Sequence, residues 1–249
     1  MADRVRELLA FDRTLLEAIL EQRPHCDPED GEIDLPNLCG TTGPIRLVGF
    51  DEAGRGALAG PVAVACVRVD FDHAVGGCSD DLVKVLAGLD DSKRLTPRRR
   101  EALYQAILSV ADYGFGCASA PEIDRLGIVH ACRIAARRAY EKLSTCATVA
   151  LLDRGLSVAS GRVREVPPSI SLTRGDGRSL HIAAASILAK VGRDTIMSQL
   201  DRRVPGYGLS RHKGYGTAAH REAIERHGVS AVHRRSFCSR IETAESQSC

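Results

Sequence analysis

Three short apolar runs in this chain of 249 residues each deliver a carboxylate near their C-terminal end, and that pattern constrains the fold most. Ile45–Phe50 leads into Asp51-Glu52, Thr148–Leu152 into Asp153, and Ile170–Thr173 ends just before Asp176. Runs this short, bounded by turn residues, read as strands. Neighbouring strands lie about 4.8 Å apart, so acids at adjacent strand ends can share one ion cluster. In an open α/β sheet, ligands gather outside the strand ends. Four carboxylates forced together repel and take up protons unless cations neutralise them. Hard oxygen ligands with no nearby histidine or cysteine suit magnesium or manganese rather than zinc. A single aspartate after a strand is usually a turn cap; three together are not explained that way.

The rest of the chain fits around these runs. Pro61–Val69 reads as an antiparallel neighbour of the first strand, and Tyr113–Ser119 as a third strand. Thr96-Pro97 marks a helix start before Arg98–Val110. Helical signal runs from Pro121 to Leu143 with a break at Gly127. Residues 179–203 form the longest helix candidate, with Ile182, Ala185, Ala189, Gly192, Ile196 and Leu200 recurring every three or four positions. Thr217–His227 is expected as the last helix. Strands first, then helix–strand alternation, predicts an α/β mixed sheet covered by helices.

Residues 5–21 predict an amphipathic helix. Residues 22–44, with Pro24, Pro28, Pro36, Pro44 and Gly40-Thr41-Thr42-Gly43, read as linker. The expected organisation is therefore an acidic extension over 1–44 that lies outside the catalytic fold and is dispensable to it. A catalytic domain over 45–240, including a C-terminal helical part, and a disordered tail over 241–249 complete it. The net charge of +2 hides an asymmetry: residues 1–45 carry four basic and ten acidic side chains, residues 202–240 nine basic and two acidic. A basic face on a nearly neutral protein points to a phosphate backbone as partner.

Composition also excludes classes. No window approaches 18 uninterrupted apolar residues, so no transmembrane helix is expected, and the N-terminus lacks an apolar leader core. A cytoplasmic monomer is expected. Nine cysteines are scattered without any Cys-x-x-Cys pair, and most sit in apolar runs, as Cys66 does. They read as small hydrophobes, not as a zinc site or disulfide framework.

Beside the first acids, Gly54-Arg55-Gly56 forms a turn whose glycines let backbone amides approach a ligand closely. Asp51-Glu52-Ala53-Gly54-Arg55-Gly56 followed by Ala59-Gly60-Pro61-Val62 resembles the opening signature of ribonuclease HII. Asp91-Ser92-Lys93, Gly175-Asp176, Ile182–Val191 with Arg193-Asp194, His212-Lys213-Gly214-Tyr215 and His233-Arg234 continue the resemblance in order, over about residues 46–238. One departure is Arg154, which stands between Asp153 and Gly155 where the family has glycine directly after its third acid.

The resemblance implies a ribonuclease-H-like fold: a five-stranded mixed sheet flanked by helices, with a C-terminal helical part that helps hold the duplex. It implies an endoribonuclease that cuts the RNA strand of RNA–DNA hybrids and nicks DNA duplexes 5′ to embedded ribonucleotides, leaving 3′-OH and 5′-phosphate. Asp51, Glu52, Asp153 and Asp176 would be the catalytic acids, holding two Mg2+ or Mn2+ ions. Gly54, Arg55, Gly56 and Tyr215 would read the ribose 2′-OH, and Ser92 and Lys93 would meet a phosphate. A role in removing ribonucleotides from DNA follows. Asp194 lies about 22 Å along its helix, too far to share those metals, so Arg193-Asp194 reads as structural. A phosphohydrolase of small nucleotides is opposed by the basic 202–240 stretch, and a non-catalytic binding module by intact acids at all four positions.

Overall fold

The computed structural model describes residues 2–23, 25–33, 35–36, 38, 44–70, 80–144, 147–158 and 167–242. The chain opens with helix α1 (Ala2–Leu20) and a small antiparallel hairpin, β1 (His25–Asp27) and β2 (Gly31–Ile33). Five further strands form the central sheet: β3 (Leu47–Ala53), β4 (Val62–Arg68), β5 (Asp112–Ala118), β6 (Val149–Asp153) and β7 (Ser169–Leu172). Their order is β5-β4-β3-β6-β7. β3, β4 and β5 pair antiparallel, whereas β3, β6 and β7 pair parallel, so the sheet is mixed as expected.

Helices cover both faces. α2 (Asp80–Val85), α3 (Pro97–Val110), the pair α4 (Ala120–Leu126) and α5 (Ile128–Tyr140), and the long α6 (Leu180–Arg203) flank the sheet. Alternation along β3 sends Val48 and Phe50 to the α5 side, against Ala135, Ala139 and Tyr140. The other face takes α6, whose first half is buried all round, not amphipathic. Alanines 183, 184, 185 and 189 let it lie close to the strands, and a Cβ on Gly49 would strike the backbone of His181 and Ile182. The break at Gly127 separates α4 from α5, and Ser119 and Glu122 close a capping box at the start of α4.

The N-terminal segment does not stand outside this fold. Val5, Leu8 and Leu9 of α1 enter the core shared by α6 and β4, and Leu15, Leu16 and Ile19 join that of β3, β6 and β7. Asp12, wholly buried, accepts from the His181 backbone N–H at 3.3 Å and bonds its Nδ1 at 2.7 Å. The periodicity of α1 was legible, but its burial needed the partner surface, which is assembled from distant strands. β1 and β2 fall inside the expected linker; strands of three residues give no usable period. Gly40–Gly43 and most of the expected tail, 243–249, lie outside the described residues.

At the other end, α7 (Leu209–His212), α8 (Ala218–His227) and α9 (Arg235–Glu242) pack with Ala59, Met197 and Tyr207 into a separate small core. α8 is thus not the last helix, and α9 takes in the first two residues of the expected tail. Cys66, Cys132 and Cys238 are buried thiols, as their apolar settings suggest. Among the described residues no helix is long and apolar enough to cross a membrane.

Candidate active site

Parallel pairing of Phe50 with Leu152 makes Asp51 and Asp153 the next residues along two adjacent strands. Asp176 joins them from a one-turn 3-10 helix, Gly175–Gly177, just beyond β7. The Asp153 Oδ1 accepts the Gly175 N–H at 2.8 Å, which ties the strand end to that turn. Asp51 and Asp176 are only 7% and 5% exposed. Burial, and then the charges of Glu52, Asp153 and Asp176, push the Asp51 carboxyl well above the ordinary range. Burial also raises Glu52 and Asp153; Asp153 adds to the former, Asp176 to the latter, and hydrogen bonds from Arg55 and Gly175 oppose both shifts. Asp51, Glu52 and Asp153 are thus all raised, and few positive charges stand against them.

Arg55, beside Glu52, and Lys93 are the exceptions. The Lys93 ammonium lies 3.2 Å from Asp176 Oδ2. Partial burial works against that charge, but Asp176, Asp91 and Asp51 outweigh it and raise its pKa. Ser92, expected at a phosphate, is instead buried. Its hydroxyl lies 2.8 Å from that of Ser186, which also bonds the Asp51 carboxylate, so Ser92 lies behind the acids and not in front of them.

The Gly54-Arg55-Gly56 turn is held from beneath by two buried arginines. Arg234 donates to the carbonyls of Gly54 (2.7 Å), Arg55 (2.8 Å) and Gly60 (3.0 Å). Arg193 donates to those of Pro61, Lys213 and Ala59. Gly54 has φ +84°, and a Cβ there would fall on the Arg193 guanidinium. Neither arginine has a carboxylate partner among these bonds. Burial lowers both, Arg234 to about 10. Their role in shaping the turn was not legible, because a guanidinium that bonds only carbonyls leaves no partner pattern in sequence. Asp194 pairs with Lys190 at 2.9 Å, away from the acids.

Arg55 reaches Glu52 (3.5 Å) and the Gly155 carbonyl (3.2 Å), so the two acid-bearing loops are tied together. The inserted Arg154 bonds the Thr173 hydroxyl at 2.9 Å and leaves Asp153 facing Gly175. Tyr215 is 39% exposed, with Arg193 5.4 Å from its ring centroid. Among the described residues none bonds its hydroxyl.

A family model described as ribonuclease HII matches residues 48–240. The chain belongs to the ribonuclease HII family. It is accordingly a ribonuclease H, an endonuclease. The ribonuclease HII of Geobacillus kaustophilus is 47% identical over 196 residues, which cover 77% of this chain and 68% of that protein. That of Magnetococcus marinus is 41% identical over 220 residues, covering 88% and 96%. Among solved structures, the ribonuclease H2 of Pyrococcus horikoshii matches with TM-score 0.60 at 23% identity, over 82% of this chain and all (100%) of that one. Bst-RNase HIII in complex with Mn2+ matches with TM-score 0.63 at 18% identity, over 89% and 77%. These structures share the ribonuclease-H-like fold.

For a ribonuclease HII relative, the donor set fits a hard divalent cation. All four candidate ligands are carboxylates, and Glu52 Oε2 is buried with no hydrogen-bond partner among the described residues. Among the described residues no group of three or more His, Cys, Asp or Glu side chains is already spaced to hold one metal ion.

Proposed function

We propose that this protein hydrolyses the RNA strand of RNA–DNA hybrids and nicks DNA duplexes on the 5′ side of embedded ribonucleotides, leaving 3′-OH and 5′-phosphate, in the service of removing ribonucleotides from DNA. The observation that carries the reading is the buried carboxylate group at the ends of β3 and β6, with raised pKa values and almost no internal compensation. Such a group takes up protons unless cations neutralise it. Asp51, Glu52, Asp153 and Asp176 would hold two Mg2+ or Mn2+ ions, which when bound activate water and neutralise charge at the departing O3′.

The remaining residues bind and select. With the carbonyls of Gly54 and Arg55 turned inward to Arg234, the amides of this turn are left to face a sugar–phosphate. A Cβ on Gly56 would meet open space, so close approach of a backbone, not internal packing, is what glycine serves there. The exposed Tyr215 phenol offers a hydrogen bond to a 2′-OH, the group that distinguishes RNA from DNA. Lys93 and the basic C-terminal helices hold phosphates without reading sequence. The test is a DNA duplex carrying one ribonucleotide, with products mapped at nucleotide resolution in magnesium, manganese or chelator. One cut 5′ to the ribonucleotide, lost in chelator, is expected; cutting in chelator or at deoxynucleotides overturns the reading.

A further inference from the structure

The turn that bears Asp176 is gripped on both sides by residues that precede the family match at 48–240. Arg174 enters it in the left-handed region, φ 50° and ψ 43°, where residues other than glycine, asparagine and aspartate are seldom found. The Glu29 carboxylate accepts from Arg174 Nη2 at 2.6 Å and Nε at 3.2 Å. Asp30 accepts the Thr173 N–H on both oxygens, at 3.0 and 3.1 Å, and Arg178 Nη1 at 2.6 Å. Asp27 pairs with Arg178, and its Oδ1 also accepts the amides of Glu29 and Asp30, which stiffens the hairpin turn. From the other side, Arg4 of α1 donates to the Gly177 carbonyl.

We propose that the β1–β2 hairpin and Arg4 form a positioning clamp for Asp176, acting through Thr173, Arg174, Gly177 and Arg178. The acids of the hairpin do two things. They hold an unfavourable backbone conformation just before the catalytic turn, and they occupy Arg174 and Arg178, which line a cleft of ≈420 Å³ with Asp176. Released, those guanidiniums can pair with Asp176 and compete with a cation there. Glu29 and Asp30 are thus positioning residues. The inference rests on the reading of Asp176 as a catalytic carboxylate.

The test compares the full chain with Glu29→Gln/Asp30→Asn, and with Glu29→Gln in an Arg174→Gly background. Partners that orient a metal's ligands are worth about 10- to 100-fold in affinity or activity. The Glu29→Gln/Asp30→Asn protein should therefore lose about tenfold in kcat and in Mn2+ affinity by calorimetry, with KM for the duplex nearly unchanged. Amide hydrogen exchange of residues 173–178 should speed up while that of β3 does not. Glycine adopts the left-handed conformation freely, so Arg174→Gly should make the Glu29→Gln loss much smaller. Unchanged kcat and exchange overturn the clamp. So does a raised KM at full kcat, which would make the hairpin a duplex-binding element, and so does faster exchange throughout the protein. Failure of the unaltered protein to cut at a ribonucleotide would sink the proposed function instead, while exchange and Mn2+ binding still judge the clamp.

Discussion

Asp51 bears the strongest conflict between burial and charge. Asp51→Asn, Glu52→Gln, Asp153→Asn and Asp176→Asn should each lower cleavage by about 10³-fold or more, since losing a metal ligand removes several kcal/mol of charge stabilisation. Duplex binding should persist or tighten, as a negative charge near phosphates is gone. Gel-shift and turnover assays on the same preparations check both. Normal turnover in any one variant removes that acid from the cluster. Raised carboxylate pKa values also fix a sign for stability: the folded, metal-free protein holds protons that the unfolded chain has released, so this contribution falls as pH rises above the usual carboxylate range. In chelator, Asp51→Asn should thus gain stability over the parent as pH increases, and an advantage that shrinks instead would contradict the raised pKa. Tyr215→Ala should cut activity on a single embedded ribonucleotide far more than on a continuous hybrid, with Tyr215→Phe between, because a single ribonucleotide offers one 2′-OH to bond where a continuous hybrid offers many. Equal losses on both substrates would return Tyr215 to a packing role.

At the scale of elements, the loop carrying Tyr215 hangs on a file of histidines in the C-terminal helices. Ser230 N–H donates to His233 Nδ1 at 3.1 Å, His233 and His220 share a proton between their Nε2 atoms at 3.2 Å, and His220 Nδ1 donates to the Tyr215 carbonyl at 3.0 Å. His212, stacked on His220 at 4.2 Å, accepts the Gly214 N–H. The accepting links, at His233 Nδ1 and between the two Nε2 atoms, need a neutral ring. Burial, and then the neighbouring His220, push His233 down to about 4, and burial lowers His220 as well. Folded values below the unfolded 6.5 mean that this stability is fully present above pH 6.5 and is lost as pH falls toward 4. For His233 the span corresponds to about 3 kcal/mol at most. Urea unfolding between pH 8 and 4 should show the loss, and His233→Phe should be less stable at neutral pH yet flatter over that range. An equally steep slope in the variant would place the titration elsewhere.

For the molecule as a whole, α1 is part of the core and not an appendage. Each large aliphatic it buries contributes about 1.5–3 kcal/mol, and six of them together rival the roughly 5–15 kcal/mol that holds an ordinary domain folded. Deleting residues 1–44 should therefore leave a chain without a cooperative melt, and Leu8→Ala alone should cost about 2–5 kcal/mol. Circular dichroism melts of both proteins check this. A truncated chain that melts within a few degrees of the full one would restore the picture of a dispensable extension.

The five strands of the sheet, the longer helices and the candidate acids were legible because each depends on local pattern, as in an apolar run of strand length followed by a carboxylate. Parallel pairing then needs only adjacency to bring Asp51 beside Asp153. Where α1 goes, by contrast, depends on a surface made by β3, β6, β7 and α6 together, and no local period encodes a surface. The same holds for Ser92, turned behind Asp51 by a hydroxyl on α6, and for Arg193 and Arg234, whose partners are carbonyls that any residue could supply. A hairpin of two three-residue strands is too short to show a period, yet its acids meet Thr173, Arg174 and Arg178 more than 140 positions away. The chain by itself determined which residues form the sheet strands and longer helices and which side chains sit at the strand ends. Only the tertiary structure decided what supports that chemistry, because the supports are polar contacts between distant residues whose types are common everywhere in the sequence.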